Sequence, residues 1–348
     1  MAETKSPPGP LQRLKGGMRR LLRRSGYDLV RVAPRDTRYA GASYDTSRPL
    51  PAGASEALRP DHPHLLDLRQ RYRDCGAPMV PRAMWAPDYL KRELDLVHFR
   101  GDNPYVWQFR NVGALAKHKY YMYLRDLASR DAHGLLGKLG EDGLFGCWTF
   151  DYPGWPTVSR DLLDSVNELY FLDRHLQLLS RQDFNILDIG AGYGRMAHRV
   201  LAAAPGVSHY LCVDAVPEST FLCEYYTAFH SLQPRAEVIA LDRLEQGLAG
   251  RRIDLAVNVH SFSEMTTPNI QGWLDWLVRL QVPWLFIVPN DADRLLTMED
   301  DGRRGEFASL LQRAGYRQVV CEPVFADPTM REFINVTDHF FLFRREAA

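Results

Sequence analysis

The residues with the clearest chemical use are the acid and glycines of Asp188-Ile-Gly190-Ala-Gly192-Tyr-Gly194, followed about 20 residues on by Asp214. Glycine lets a backbone turn through positive φ and approach a ligand closely. The run stands between NILDIG, which reads as a strand, and GRMAHRVLAAA, which reads as a helix with Met196, Val200 and Leu201 on one face. A helix N-terminus adds free N–H groups and a partial positive charge. Asp214 closes the next strand, HYLCVDA. A carboxylate there can accept hydrogen bonds from both ribose hydroxyls of a nucleoside. The chemistry expected is the cradling of a nucleoside-containing molecule.

Spacing separates the candidate nucleosides. The dinucleotide fingerprint is G-x-G-x-x-G. Here the third glycine comes one residue early, and Arg195 stands where that fingerprint has glycine. The D-x-G-x-G-x-G arrangement resembles motif I of class I S-adenosylmethionine (SAM)-dependent methyltransferases. That resemblance implies SAM as cofactor, with Gly190, Gly192 and Gly194 around the methionyl end, Asp188 helping to orient its amino acid portion and Asp214 on the ribose. Asp242, at the end of the third strand AEVIAL, matches the polar position that faces adenine; the alternative is a helix N-cap.

An open α/β sheet binds ligands beyond the carboxyl ends of its parallel strands. After the fourth strand that rule selects Asn258, assigned to the cofactor side, then His260, Ser261, Ser263 and Glu264. After the fifth it selects Asn290 and Asp291, and an antiparallel final strand brings Asp338 and His339 to the same side. Around an activated methyl group such residues must align an acceptor oxygen and remove its proton. His260 is the first candidate base, with Glu264 orienting or replacing it, and His339 is the second; alternatively, His260 bonds backbone in a strand-end turn. His260, Glu264, Asp291 and His339 are acceptable metal-ligand types, and a divalent cation acidifying a diol is an alternative. No compact ligand motif is present, so no metal site is assigned.

These residues need elements to position them. From Asn185 onward strands and helices alternate, which predicts a parallel sheet with helices on both faces. The expected fold is α/β: a Rossmann-like class I methyltransferase sheet of seven strands, the last antiparallel, over residues 181–348. Its last two strands, RQVVCEPVF and HFFLFRR, read as a hairpin-like pair without a helix between them. Residues 61–180 read as a mainly helical, acceptor-binding cap. Two aromatic-dense segments, LVHFRGDNPYVWQFRN and KHKYYMYLRDLASR, lack strand alternation. Trp107, Tyr120, Tyr121, Trp148, Phe150 and Trp155 either stack on sugar faces or form core. In SRDLLDSVNELYFLDRHLQLLSR, Ser159 can cap a helix whose apolar stripe runs from Leu162 to Leu179. Arg160, Asp161, Asp164 and Glu168 on it, the three acids sharing one face, either bind acceptor hydroxyls or cover the SAM site, or are solvated or paired charges.

The run from Tyr105-Val-Trp-Gln108 through Lys119-Tyr-Tyr, Glu141-Asp-Gly143 and Phe145-Gly146 to Ser159–Glu168, with His260-Ser-Phe-Ser-Glu-Met265 and Asp338-His339, resembles a family of bacterial sugar O-methyltransferases over roughly residues 80–345. The resemblance implies methyl transfer to a sugar hydroxyl of a glycan, glycolipid or glycosylated natural product. The rival readings are a methyltransferase of a non-sugar small molecule and a non-catalytic SAM-binding subunit of a glycan assembly complex. Arg195 disfavours an NAD-dependent oxidoreductase.

Composition narrows the partners. Lys plus Arg and Asp plus Glu are both 43, so net charge gives no reason to expect nucleic acid. The 5 cysteines are odd in number and form no C-x-x-C pair, which suits a reducing, cytoplasmic compartment. No apolar run approaches the roughly 18 residues of a membrane span, and no secretory signal is evident. Residues 1–60 read as a basic arm and a Pro/Gly-rich linker, with Leu11, Leu14, Met18, Leu21 and Leu22 at helical spacing among arginines. That pattern reads either as a helix on the inner membrane surface or as a solvated or packed arm.

Overall fold

The computed structural model describes Ser25 and residues 44–81, 84–109 and 112–346. The basic helix expected over Leu11–Leu22, and with it any membrane contact, lies outside the described residues.

Among the described residues the first elements are α1 (Ala54–Ala57), α2 (Pro63–Asp74) and α3 (Pro87–Glu93). Ala54 and Leu58 are 0% exposed, so the stretch read as linker ends in packed structure. Proline at the start of α2 and α3 presets φ and lacks the N–H that a first turn would leave unpaired. The segment from Leu96 to Phe109, expected to be helical, contains no helix. Its Asx side chains explain why. Asp95 accepts from the amides of Val97 and His98, Asn103 from Tyr105, and Asp102 from Gln108 and Phe109. Such bonds give the backbone an alternative to helical pairing.

Next come α4 (Ala116–Ala128), α5 (Leu135–Lys138), and a small antiparallel pair, β1 (Thr149–Phe150) and β2 (Val158–Ser159). They lead into α6 (Arg160–Leu176), where Ser159 Oγ accepts from the Leu162 amide as expected of its cap. Leu162, Val166, Leu169, Leu172 and Leu176 are buried along it.

The main sheet follows. β3 (Phe184–Ile189), α7 (Arg195–Ala203), β4 (Val207–Val213), α8 (Pro217–Phe229), β5 (Ala236–Ile239), α9 (Leu244–Leu248), β6 (Leu255–Val259), α10 (Thr267–Arg279) and β7 (Trp284–Val288) alternate as predicted. Then come α11 (Ala308–Arg313), β8 (Tyr316–Pro323), α12 (Pro328–Ile334) and β9 (His339–Arg345). The strand order is β5-β4-β3-β6-β7-β9-β8, with β3 to β7 parallel and β9 antiparallel to both its neighbours. This is the seven-stranded Rossmann-like sheet the sequence predicts. One detail is corrected: β8 and β9 pair antiparallel but are joined through α12, not by a bare hairpin connection. Asp327 caps α12 by accepting from the Thr329 amide at 2.7 Å.

The sheet is covered on both faces. Ile186, Tyr210, Val257 and Phe286 point into a core shared with α4, α6 and α7. Leu187, Leu211, Ala256 and Leu285 point into a second, shared with α1, α2, α8 and α10. Strand order reverses between β3 and β6, so a crevice opens beyond their carboxyl ends.

Candidate functional site

The glycine loop leaves β3 at that crevice. Gly190 has φ of 76°, and a Cβ on it would lie 2.2 Å from Ser261 Oγ, so only glycine fits. A Cβ on Gly192 would press against the Tyr105 ring at 3.1 Å. Gly194, also at positive φ, precedes α7. Asp214 closes the loop: its two oxygens accept from the Gly192 amide at 3.0 Å and the Val216 amide at 2.8 Å. Burial raises its carboxyl to about 7, against the pull of those two amides. Asp188 is likewise pushed to about 7 by burial, with the Tyr210 hydroxyl, 2.8 Å away, favouring its charged form.

Asp188, the loop and Asp214 line a cleft of about 850 Å³ including its open mouth. Its roof comes from the N-terminal region: Pro81, Trp85, Pro104 and Tyr105. The Trp85 and Tyr105 rings stack with centroids 5.2 Å apart, and Tyr105 Oη lies 3.0 Å from Ser219 Oγ. Trp85 Nε1 donates to Glu264 Oε2 at 2.7 Å, which ties the roof to the turn after β6.

A second chamber, about 910 Å³ including its open mouth, adjoins the first. Pro104, Tyr105, Arg195, His260 and Glu264 line both. Its remaining walls are mostly polar: Arg160, Asp164, Asn290, Thr337 and Asp338. Trp107, 45% exposed, stands at this chamber as its aromatic surface. His260 sits at the end of β6 with φ of 67°, and its Nδ1 is buried without a hydrogen-bond partner. Glu264 does not orient it through a hydrogen bond, because its oxygens accept from Trp85 and from Asn290 Nδ2 at 3.1 Å. Burial raises the carboxyls of Glu264 and Asp338 above the usual range.

Apart from Asp164 with Arg160, the other candidates line neither chamber. Asn258 faces inward, clipping the Ile189 carbonyl, Ser261 and the Phe262 amide together. His339 Nδ1 bonds the Thr337 carbonyl, and the ring is outside both chambers. Asp291 pairs with Arg304. Asp161 is 1% exposed, held by Arg100, Arg199 and the Tyr193 hydroxyl. Glu168 receives Arg195 through two bonds, at 2.7 and 2.9 Å. Asp164 pairs with Arg160 at 2.5 Å, so each acid on that face of α6 holds at least one arginine. Asp242 neither faces the cleft nor caps a helix: Arg71 donates to both its oxygens, at 2.9 and 2.7 Å. Beside it the Leu241 amide donates to Tyr72 Oη at 2.9 Å. Tyr120, Trp148 and Phe150 are core, with Tyr121 and Trp155 packed against it.

Sequence reasoning gave Trp85, Ser219 and the bridging position of Arg195 no role. Trp85 meets Glu264 across 179 residues, a contact without local signature. Among the described residues, no group of three His, Cys, Asp or Glu side chains is placed to hold a metal ion, and no helix is long and apolar enough to cross a membrane.

No protein-family model and no curated protein matches the chain. Solved structures do resemble part of it. A SAM-dependent methyltransferase from Aquifex aeolicus is 17% identical, covering 51% of this chain and 96% of its own, with a TM-score of 0.37. The CcbJ methyltransferase from Streptomyces caelestis is 14% identical, covering 53% and 90%, with a TM-score of 0.38. The [4+2]-cyclase SpnF is 14% identical, covering 66% and 96%, with a TM-score of 0.40. Likeness at this level assigns no activity to the chain.

Proposed function

We propose that the protein is a SAM-dependent methyltransferase whose acceptor is a sugar hydroxyl. The observation that carries this reading is the meeting of two chambers at Tyr105, Arg195, His260 and Glu264. One has a glycine cradle and a ribose-type acid; the other has a polar lining and an exposed indole. The fit to SAM is at the loop: Gly190 and Gly192 turn the backbone through positive φ beneath the cleft, close-packed on Ser261 and the Tyr105 ring. Asp188 and Asp214 would hold its amino acid and ribose portions. When bound, SAM supplies a methyl group already activated by its positive sulfur.

The chain's own task is then alignment and proton removal. His260 belongs to both chambers, and imidazole is the side chain best matched to taking a hydroxyl proton near neutral pH. His260 would take the proton of the acceptor hydroxyl whose oxygen receives the methyl group that bound SAM would supply. Arg160, Asp164, Asn290 and Asp338 offer donors and acceptors for neighbouring hydroxyls, and Trp107 offers a ring for a sugar face.

The test is a labelled-SAM assay against a panel of free, nucleotide-linked and lipid-linked sugars, with mass spectrometry of products. His260→Ala should lower transfer by about 10²–10⁴-fold while S-adenosylhomocysteine binding stays within about threefold. Unchanged turnover in that variant would remove His260 as the base. A second reading, an amine acceptor, is favoured by the Glu264 and Asp338 carboxylates at the same chamber. Transfer to amines and to no hydroxyl would replace the first reading with the second.

A further inference from the structure

The cofactor cleft accounts for the methionine and ribose portions of SAM but offers no obvious partner for the edge of its base. Asp242 and the Leu241 amide are already bonded by Arg71 and Tyr72 of α2. The cleft's other polar groups on this side are also engaged. Asn269 Nδ2 donates to the Pro78 and Val80 carbonyls, and its Oδ1 takes the Thr266 amide. Ser219 bonds Tyr105.

A third cavity begins where the cleft ends. It encloses about 1440 Å³ including its open mouth, and Pro81, Trp85 and Ala215 line both spaces. Ala215 directly follows the ribose-type Asp214, so a base attached to that ribose has this cavity within reach. The walls are mostly apolar, with Tyr72, Trp85 and Pro217 among them. A purine is flat and aromatic and suits such a slot.

Arg69, Arg73, Asp88 and Lys91 also line this cavity, and Glu218 is the buried acid among them. Glu218, in the first turn of α8, is 6% exposed. Its Oε1 accepts from Arg69 Nε at 2.8 Å, but its Oε2 is buried and has no hydrogen-bond partner. A buried carboxylate oxygen without a donor is costly, and a ligand N–H would satisfy it. An ionised carboxylate accepts only, so the matching ligand group is a donor.

Resting on the SAM reading above, we propose that the adenine base is seated in this third cavity between Trp85 and Pro217, with Glu218 accepting from its exocyclic amino group. Asp242 has no part in base recognition, and α2, through Arg71 and Tyr72, redirects the base away from the end of β5.

The experiment is calorimetric titration of the full chain with S-adenosylhomocysteine, its 6-oxo analogue S-inosylhomocysteine, and the N6-methyl and N6,N6-dimethyl forms. The 6-oxo and dimethyl forms lack an exocyclic N–H and should bind about tenfold or more weakly; the monomethyl form keeps one exocyclic N–H and should bind within about threefold. This series needs no variant. Glu218→Gln, whose amide can also donate, should reduce the preference for adenine over the 6-oxo base to below threefold, and Asp242→Asn should leave it unchanged. Equal binding of all four ligands, or loss of the preference in Asp242→Asn alone, would overturn the assignment. Wild-type chain that binds none of them overturns the SAM reading itself, and this inference with it.

Discussion

Asp188 shows how a single residue of the site shapes the whole protein's stability. Its carboxyl is raised to about 7 by burial, above its ordinary value of 3.8. A folded-state value above the unfolded one means that this group's stabilisation is fully present below about pH 4 and is lost as pH rises through about 7. Asp188→Asn cannot ionise, so it should be more heat-stable than wild type at pH 8. That gain should shrink by about 2–3 kcal/mol at pH 5, as read by scanning calorimetry at the two pH values. An equal gain at both would mean that Asp188 is not a neutral acid in the folded state. At this scale the sequence was informative where contacts are local. The glycine loop and Asp214 are legible because one turn and one strand position them. Glu218 and Trp85 are not, because the groups that give them meaning arrive from Arg69, 149 residues away, and from Glu264, 179 residues away.

At the scale of elements, α6 is the informative case. Its apolar stripe and its Ser159 cap were readable from spacing alone. Its acids were not, because their partners come from other elements. Asp161 meets Arg100 and Arg199, and Glu141 joins the same arginines at 2.9 Å each. Removing one member of a buried ion pair leaves uncompensated charge. Asp161→Ala should therefore lower unfolding stability by about 3–5 kcal/mol in urea denaturation. A loss under about 1 kcal/mol would return Asp161 to the list of solvent-facing candidates for the acceptor. The missed α12 carried signals of its own, Asp327 as cap and Pro328 at the first position, but it was too short for periodicity to reveal.

The whole molecule is held by two cores, and both combine the N-terminal region with the sheet. Leu58, Leu65 and Tyr72 belong to one, and Phe109, Tyr123 and Leu162 to the other. Calorimetric unfolding should consequently give one cooperative transition, with equal calorimetric and van't Hoff enthalpies. Two resolved transitions would indicate that the region before β3 folds by itself. The alternating elements after Asn185 made the sheet legible from sequence. The docking of residues 44–180 on both faces was not, because it depends on which apolar stripes find each other across the fold.

The roof has a consequence in time. Tyr105 rests on Gly192 while Trp85 is fastened to Glu264, and Tyr105 and Glu264 also wall the second chamber, proposed above for the acceptor. If this roof must lift to admit a nucleoside, the second chamber is complete only once Tyr105 and Trp85 are back in place. Loading should be sequential: cofactor first, acceptor second, and departure in the reverse order. Initial-rate kinetics should give S-adenosylhomocysteine as a competitive inhibitor against SAM and a noncompetitive one against the acceptor. Competition with both substrates would indicate that the two chambers fill in either order.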